Sequence, residues 1–212
     1  MMTRNPSAHA RTEQHKKGFT LTEIAIVLGI IGLILGAIWV AAAGVYNNQR
    51  VNNANTAVLQ ITQGVRSLYA TSSTTGYAAA TDITAALITA NAVPTNLVNG
   101  ATLSGPFPGG ASGVIATSDG MGFVIVMSGV SQSNCISVLT NIGGTSRDPG
   151  LFKADAVANA APATGDATTT GTGLTTAVTP GIAAVAAVGA APSTYGGCTN
   201  TSNKVRFGFT LK

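Results

Sequence analysis

Lys16-Lys17-Gly18-Phe19-Thr20-Leu21-Thr22-Glu23 runs directly into residues 24–45, which carry no charge and are mostly apolar. The next charge after Glu23 is Arg50. About 20 apolar residues are enough for a helix to cross a bilayer, so this run is long enough to span one. A secretory signal would have a shorter apolar region, followed by small residues at a cleavage site. Here the apolar run is too long, and it continues past Val45 into a polar helical pattern without a break. It is therefore expected to be retained. Arg4, Arg11, Lys16 and Lys17 precede it. The positive-inside rule keeps such a leader in the cytoplasm and sends the rest of the chain across. On physics alone these features also describe an ordinary single-pass anchor.

Glu23 stands at the edge of the apolar run and has two readings. A carboxylate drawn to mid-bilayer costs roughly 2.5–3.5 kcal/mol, so it must find a proton or a cation. At headgroup level it instead complements the positive end of its own helix. Taken together, Gly18-Phe19-Thr20-Leu21-Thr22-Glu23 and the following Ile24-Ala25-Ile26-Val27-Leu28-Gly29-Ile30-Ile31-Gly32 resemble the N-terminal signature of type IV pilins and the related pseudopilins. The resemblance implies that a prepilin peptidase cuts on the cytoplasmic side after Gly18 and N-methylates Phe19. It also implies that Glu23 pairs with the N-terminal amine of a neighbouring subunit during assembly. A charge pair is strongly favoured only where water is scarce, and a lone buried carboxylate would be costly there.

The expected fold class is α+β, the pilin fold: a long N-terminal helix, with a membrane-spanning half and an amphipathic half, packed on a small antiparallel sheet. The expected parts are a leader at 1–18, a membrane-spanning half-helix at 19–45, an amphipathic half-helix at 46–70 and a globular head at 71–212. In the apolar half, Ala25, Gly29, Gly32 and Gly36 line one helix face, and small stripes let helices approach closely within a membrane. The alternative is that glycine is simply common in membrane helices. The resemblance implies that Gly29, Gly32 and Gly36 pack against other helices in a filament core. Beyond Val45, Val51, Ala54, Val58, Ile61, Val65 and Leu68 recur at spacings of three and four, which predicts one buried face. Gly64 reads as a mild weakness in that helix.

Residues 71–76 read as a breaker. Asp82 is placed to cap a short helix over residues 83–90, ended by Val93-Pro94. Residues 99–113 read as a Gly/Pro loop without a site. Ser118-Asp119-Gly120-Met121 lies between apolar runs and predicts a hairpin. Residues 132–142 predict a helix ending at Gly143-Gly144. Residues 154–191 are rich in Ala, Thr and Gly and predict a weakly ordered surface segment, with a short helix at residues 182–188 as the alternative. Val205, Phe207, Phe209 and Leu211 alternate and predict a C-terminal strand.

Cys135 and Cys198 both fall in the part expected to be exported. An even count in an oxidising compartment argues for a disulfide; two free buried thiols are the other reading. In pilins the corresponding disulfide bounds the D-region, which here would be 135–198. The long leader, Val40 at about the place where type IVa pilins often carry a proline, and the size of the disulfide loop make the resemblance strongest to type IVb pilins.

Charged residues are only 8% of the chain, and both histidines, His9 and His15, lie in the leader. Most of the net positive charge of +4 also lies there. A basic surface for nucleic acid is thus not expected, nor is histidine catalysis or histidine metal ligation. No motif for an enzyme is present, and no cofactor is expected. Asp148 and Asp155 offer at most a weak calcium pair. The expected function is a structural subunit of a type IV pilus serving adhesion, aggregation, motility or conjugation. Its expected partners are other pilin subunits, prepilin peptidase and the pilus assembly machinery. It is expected first in the inner membrane and then on the cell surface. The alternatives are a minor pilin, a type II secretion pseudopilin, or a membrane-anchored adhesion domain that does not polymerise.

Overall fold

The computed structural model describes residues 18, 20–77, 79–167 and 197–212. The chain divides into two units, Met1–Gly44 and Val45–Lys212. Helix α1, Leu21–Leu68, contributes to both. In the first unit the described residues are Gly18, Thr20 and the apolar part of α1. A window of α1 with mean hydropathy 2.8 is apolar and long enough to cross a membrane.

The second unit is built on the amphipathic part of α1. Val51, Ala54, Ala57, Val58, Ile61, Thr62 and Val65 are buried, so the apolar stripe becomes the core face as its three- and four-residue spacing requires. Thr62 satisfies its buried hydroxyl inside the helix by donating to the Val58 carbonyl at 2.7 Å. Leu68 departs from the expectation: it is 45% exposed. It is the last residue of α1, where the chain turns away through bonds from Tyr69 N–H to Val65 and from Ser72 N–H to Tyr69.

Against that face lies a seven-stranded antiparallel sheet. Its strands are β1 Thr81–Asp82, β2 Val98–Asn99, β3 Thr102–Ser104, β4 Ala111–Ala116, β5 Gly122–Ser131, β6 Leu151–Ala158 and β7 Ser202–Thr210. The order is β2-β3-β4-β5-β7-β6, with β1 also on β4. The described residues of the unit also form two short α-helices, α2 Thr84–Thr89 and α3 Gln132–Gly143. Phe123, Ile125 and Met127 of β5 and Val205, Phe207 and Phe209 of β7 join the α1 stripe in one core cluster. The rings of Phe123 and Phe209 stack at 5.8 Å. The expected alternation of the last strand is therefore seen. So is the β4–β5 hairpin, whose turn places Gly120 at φ +67°. There Asp119 accepts hydrogen bonds from the Thr117 hydroxyl and the Met121 N–H.

The opposite face of the sheet carries a smaller cluster, Ile115, Val124, Val126, Phe152 and Ala167. It also carries buried charges, Lys153, Asp155, Lys204 and Arg206. Asp166, in a 3-10 turn at Thr164–Asp166 just after β6, meets them.

Four further expectations are corrected. Residues 99–113 are not simply a loop: β2, β3 and the start of β4 lie there, joined by a tight turn with Gly100 at φ +64°. These strands are too short to show period-2 alternation. The segment expected to be weakly ordered from residue 154 begins as strand β6, with Ala154, Asp155 and Ala156 fully buried. Both faces of β6 are covered, so an in–out polarity pattern could not reveal it. Asp82 is not the N-cap of α2, which is Ile83; the Asp82 carboxylate accepts the Thr84 N–H at 2.9 Å from one residue earlier. The alternative helix at residues 182–188 lies outside the described residues.

Gly64 is the fourth. A Cβ there would lie 1.9 Å from the carbonyl oxygen of Ala92, so the residue marks where the chain after α2 crosses α1 backbone to backbone. Helix propensity alone predicts that Gly64→Ala stabilises by roughly 1 kcal/mol. The crossing reverses that sign: the substitution should destabilise the second unit by about 1–3 kcal/mol. A urea unfolding midpoint at or above that of the unaltered protein would contradict it.

Candidate assembly surface

In the first unit the helix opens on a reciprocal cap. The N–H and the hydroxyl of Thr20 both donate to Glu23 Oε2, at 2.8 and 3.0 Å, and the Glu23 N–H donates to Thr20 Oγ1 at 3.3 Å. This is a capping box, which satisfies donors at the helix start that have no partner within the helix. Glu23 thus closes onto its own first turn in the isolated chain. Thr20 was not singled out from the sequence, although the Thr-x-x-Glu spacing was a readable signal for it. Gly18 is exposed, and Phe19 lies outside the described residues.

From Leu21 to Val40 the large apolar side chains of α1 are exposed, Trp39 and Val40 at 77% and 78%. A Cβ added at Gly29, Gly32 or Gly36 would meet nothing within 4 Å. Each glycine costs a helix interior roughly 1 kcal/mol relative to alanine. No contact among the described residues calls for them. A stripe without Cβ atoms is what lets the backbone of a second helix come close in an apolar medium.

In the second unit Cys135 and Cys198 form a disulfide, with Cα atoms 5.8 Å apart and both residues buried. It ties α3 to the chain just before β7 across a sequence separation of 63. At the far end of α1, Arg66 grips Asp148 with two hydrogen bonds of 2.7 and 2.9 Å. Its Nε donates to the Thr210 carbonyl at 3.2 Å, and its guanidinium lies 6.0 Å from the Phe209 ring centroid. Those Arg66 hydrogen bonds hold the Asp148 carboxyl below its ordinary value. Asp155 is held by a different arginine, with both of its oxygens on Arg206. Asp148 and Asp155 are therefore not brought together as calcium ligands: each is taken up by its own guanidinium. Burial also pushes the Lys153 ammonium down. The expectations above do not group these charges. The signal that would have found them is Asp155 in an Ala-rich stretch opposite the alternating Lys204 and Arg206.

Residues 48–189 match the sequence model of the family described as PilS N terminal, and residues 14–39 match the prokaryotic N-terminal methylation motif. The toxin coregulated pilin of Vibrio cholerae serotype O1 (strain ATCC 39315 / El Tor Inaba N16961) is 28% identical over 144 residues. That match covers 62% of this chain and 62% of the relative, less than two thirds of its length. The crystal structure of TcpA, a type IV pilin from Vibrio cholerae El Tor biotype, superposes with a TM-score of 0.50 at 18% identity. It covers 76% of this chain and 99% of that one, a likeness of fold: a long N-terminal helix and an antiparallel sheet.

Proposed function

This chain belongs to the type IV pilin family, and on that premise we propose that it is a structural subunit of a type IV pilus filament, of the b class. The observation that carries the reading is the uncovered apolar part of α1, with its open glycines, lying within and directly after the methylation motif. Exposed apolar surface on that scale needs lipid or other protein to cover it. A membrane covers it in the precursor, and neighbouring copies cover it in the filament.

In this reading prepilin peptidase removes residues 1–18 by cutting after Gly18 and methylates Phe19. The precursor waits in the inner membrane with residues 46–212 across it, and the assembly machinery extracts it. Glu23 then exchanges its bonds to Thr20 for the amine of a neighbouring Phe19. Gly29, Gly32 and Gly36 admit the helices of other subunits. The heads coat the filament on the cell surface, where the region between Cys135 and Cys198 is the variable D-region. The leader length, Val40 and the long disulfide loop support the b class. Adhesion, aggregation, motility or conjugation are the tasks such a filament serves.

The test is the mature N-terminus, by mass spectrometry of membrane and sheared-surface fractions. N-methylated Phe19 in both fractions is expected, with the protein abundant in the sheared one. A chain starting at Met1, or after the apolar run, would overturn the processing. Correct processing without any protein in the sheared fraction would favour a pseudopilin.

A further inference from the structure

Asn99-Gly100 is the sole Asn-Gly pair in the chain, and it sits where β2 turns into β3. Asn99 pairs with Thr102, so Gly100 and Ala101 form the turn, with Gly100 at φ +64°. Glycine at the first position suits a two-residue turn of this hand. Both Asn99 and Gly100 are exposed. Neither the Asn99 carboxamide nor the Gly100 N–H has a hydrogen-bond partner among the described residues. A Cβ on Gly100 would meet nothing within 4 Å, so water has room there. β2 is two residues long, ends the sheet and pairs only with β3 among the described strands.

An asparagine loses its side-chain amide when the main-chain nitrogen of the next residue attacks its Cγ. That nitrogen must be unshielded and not already donating a hydrogen bond. The other described asparagines fail one condition or the other. Those of α1 and α3 are followed by a nitrogen that lies inside a helix. After Asn91, the Ala92 N–H donates to the Leu87 carbonyl at 2.9 Å, and after Asn96 the Leu97 N–H donates to the Pro94 carbonyl at 3.1 Å. The Asn159 side chain is held by the Gly129 N–H at 2.7 Å. Each of them is also followed by a residue whose Cβ shields the nitrogen, and glycine has none.

We propose that Asn99 is a site of spontaneous covalent modification, converting to aspartate and isoaspartate in the folded protein. The Gly100 nitrogen gives its proton to hydroxide or water and forms a bond to Asn99 Cγ. The Cγ–Nδ2 bond breaks, and ammonia leaves. The resulting five-membered imide takes up water at either carbonyl. One opening gives aspartate, and the other gives isoaspartate, whose main chain runs through the former side chain. No oxidant and no second protein is consumed. The nitrogen reaches Cγ once the end of β2 lifts from Thr102, against two strand pairs and the Thr102 hydroxyl, which donates to the Asn99 carbonyl at 2.9 Å. So short an edge strand opens at small cost. The product carries a new negative charge. Isoaspartate also adds one atom to the main chain, so the turn no longer closes with residue 99 opposite Thr102. Leu97 and Leu103 flank this hairpin in the core, and β2 should then detach between them. The fraction converted thus measures the time since folding. The inference rests on the second unit alone and stands whether or not the chain polymerises.

The test keeps the full chain in detergent, folded or unfolded in urea, at neutral and at mildly alkaline pH. Peptide mapping by mass spectrometry at intervals locates each exchange of NH2 for OH, and isoaspartyl methyltransferase labels the isoaspartate. Residue 99 should convert before any other asparagine, and faster at the higher pH. Its rate in the folded chain should lie within about tenfold of the rate in urea, an opening cost of no more than about 1.4 kcal/mol. Asn99→Gln would need a six-membered ring, so it should stay unlabelled while unfolding at the same temperature as the unaltered protein. The proposal falls if residue 99 stays intact in the folded chain while it converts in urea, if another asparagine converts first, or if the labelling survives in Asn99→Gln.

Discussion

Arg206→Ala is expected to lower the stability of the second unit by about 3–5 kcal/mol, the cost of breaking a buried ion pair from one side. Asp155 is fully buried, and Arg206 donates to both of its carboxylate oxygens through Nε and Nη2. Lys204 is engaged with Asp166 at 2.7 Å, so it is not free to replace the guanidinium. The damage should spread along the chain. Arg206 also reaches Asp166 at 3.4 Å, and the Asp166 carboxylate accepts the Ala163 N–H at 3.0 Å. Lys153 donates to the Asp166 carbonyl at the same distance. These bonds tie residues 163–167 to the second face of the sheet. Replacing both partners, Asp155→Leu with Arg206→Met, should recover most of the loss, because neither buried charge is then stranded. Denaturant unfolding followed by near-ultraviolet circular dichroism measures both variants. A loss below about 1 kcal/mol for Arg206→Ala would mean that the pair behaves as a solvent-screened surface pair.

Cys135→Ser with Cys198→Ser is expected to cost about 4 kcal/mol, from the entropy of opening a loop closed over a separation of 63 residues. That loop contains all of β6 and the residues that cover the second face of the sheet. The whole second unit should therefore lose cooperativity, and the urea midpoint should fall. The apolar part of α1 in the first unit should keep its helicity in detergent. An unchanged midpoint under reducing conditions would show that side-chain packing alone holds β6 in place.

What could be read from the sequence was whatever alternated at a fixed period or marked a turn. The α1 stripe from Val51 to Val65 and the alternation from Val205 to Leu211 set apolar against polar at a fixed period, although Lys204 and Arg206 on the other face of β7 are themselves buried. The hairpin was legible from Asp119-Gly120 between two apolar runs. β6 could not be read this way. Its Lys153 and Asp155 are polar residues on a covered face, neutralised by partners on β7 or in the turn after it. Gly64 looked like a flaw because its reason is Ala92, a residue far along the chain. The same holds for Arg66 and Asp148, which the fold brings together from 82 residues apart. Of the candidate assembly residues, Glu23 and the glycines were legible as anomalies in an apolar run, and Thr20 through its Thr-x-x-Glu spacing to Glu23 alone.

The position of β7 has a consequence for how the protein is made. It is the last strand along the chain, yet it lies between β5 and β6. A chain emerging with its first residues ahead can form the β4–β5 hairpin early. Until residue 202 arrives, however, β5 keeps one bare edge of apolar residues, and β6 has nowhere to dock. Such an edge is a template for pairing with any other extended chain. Cys198 travels just ahead of β7, so Cys135 has no partner within its own chain until the same moment. The time between the emergence of β5 and the arrival of β7 is thus the interval in which a nascent chain is most open to aggregation and to disulfides with the wrong molecule.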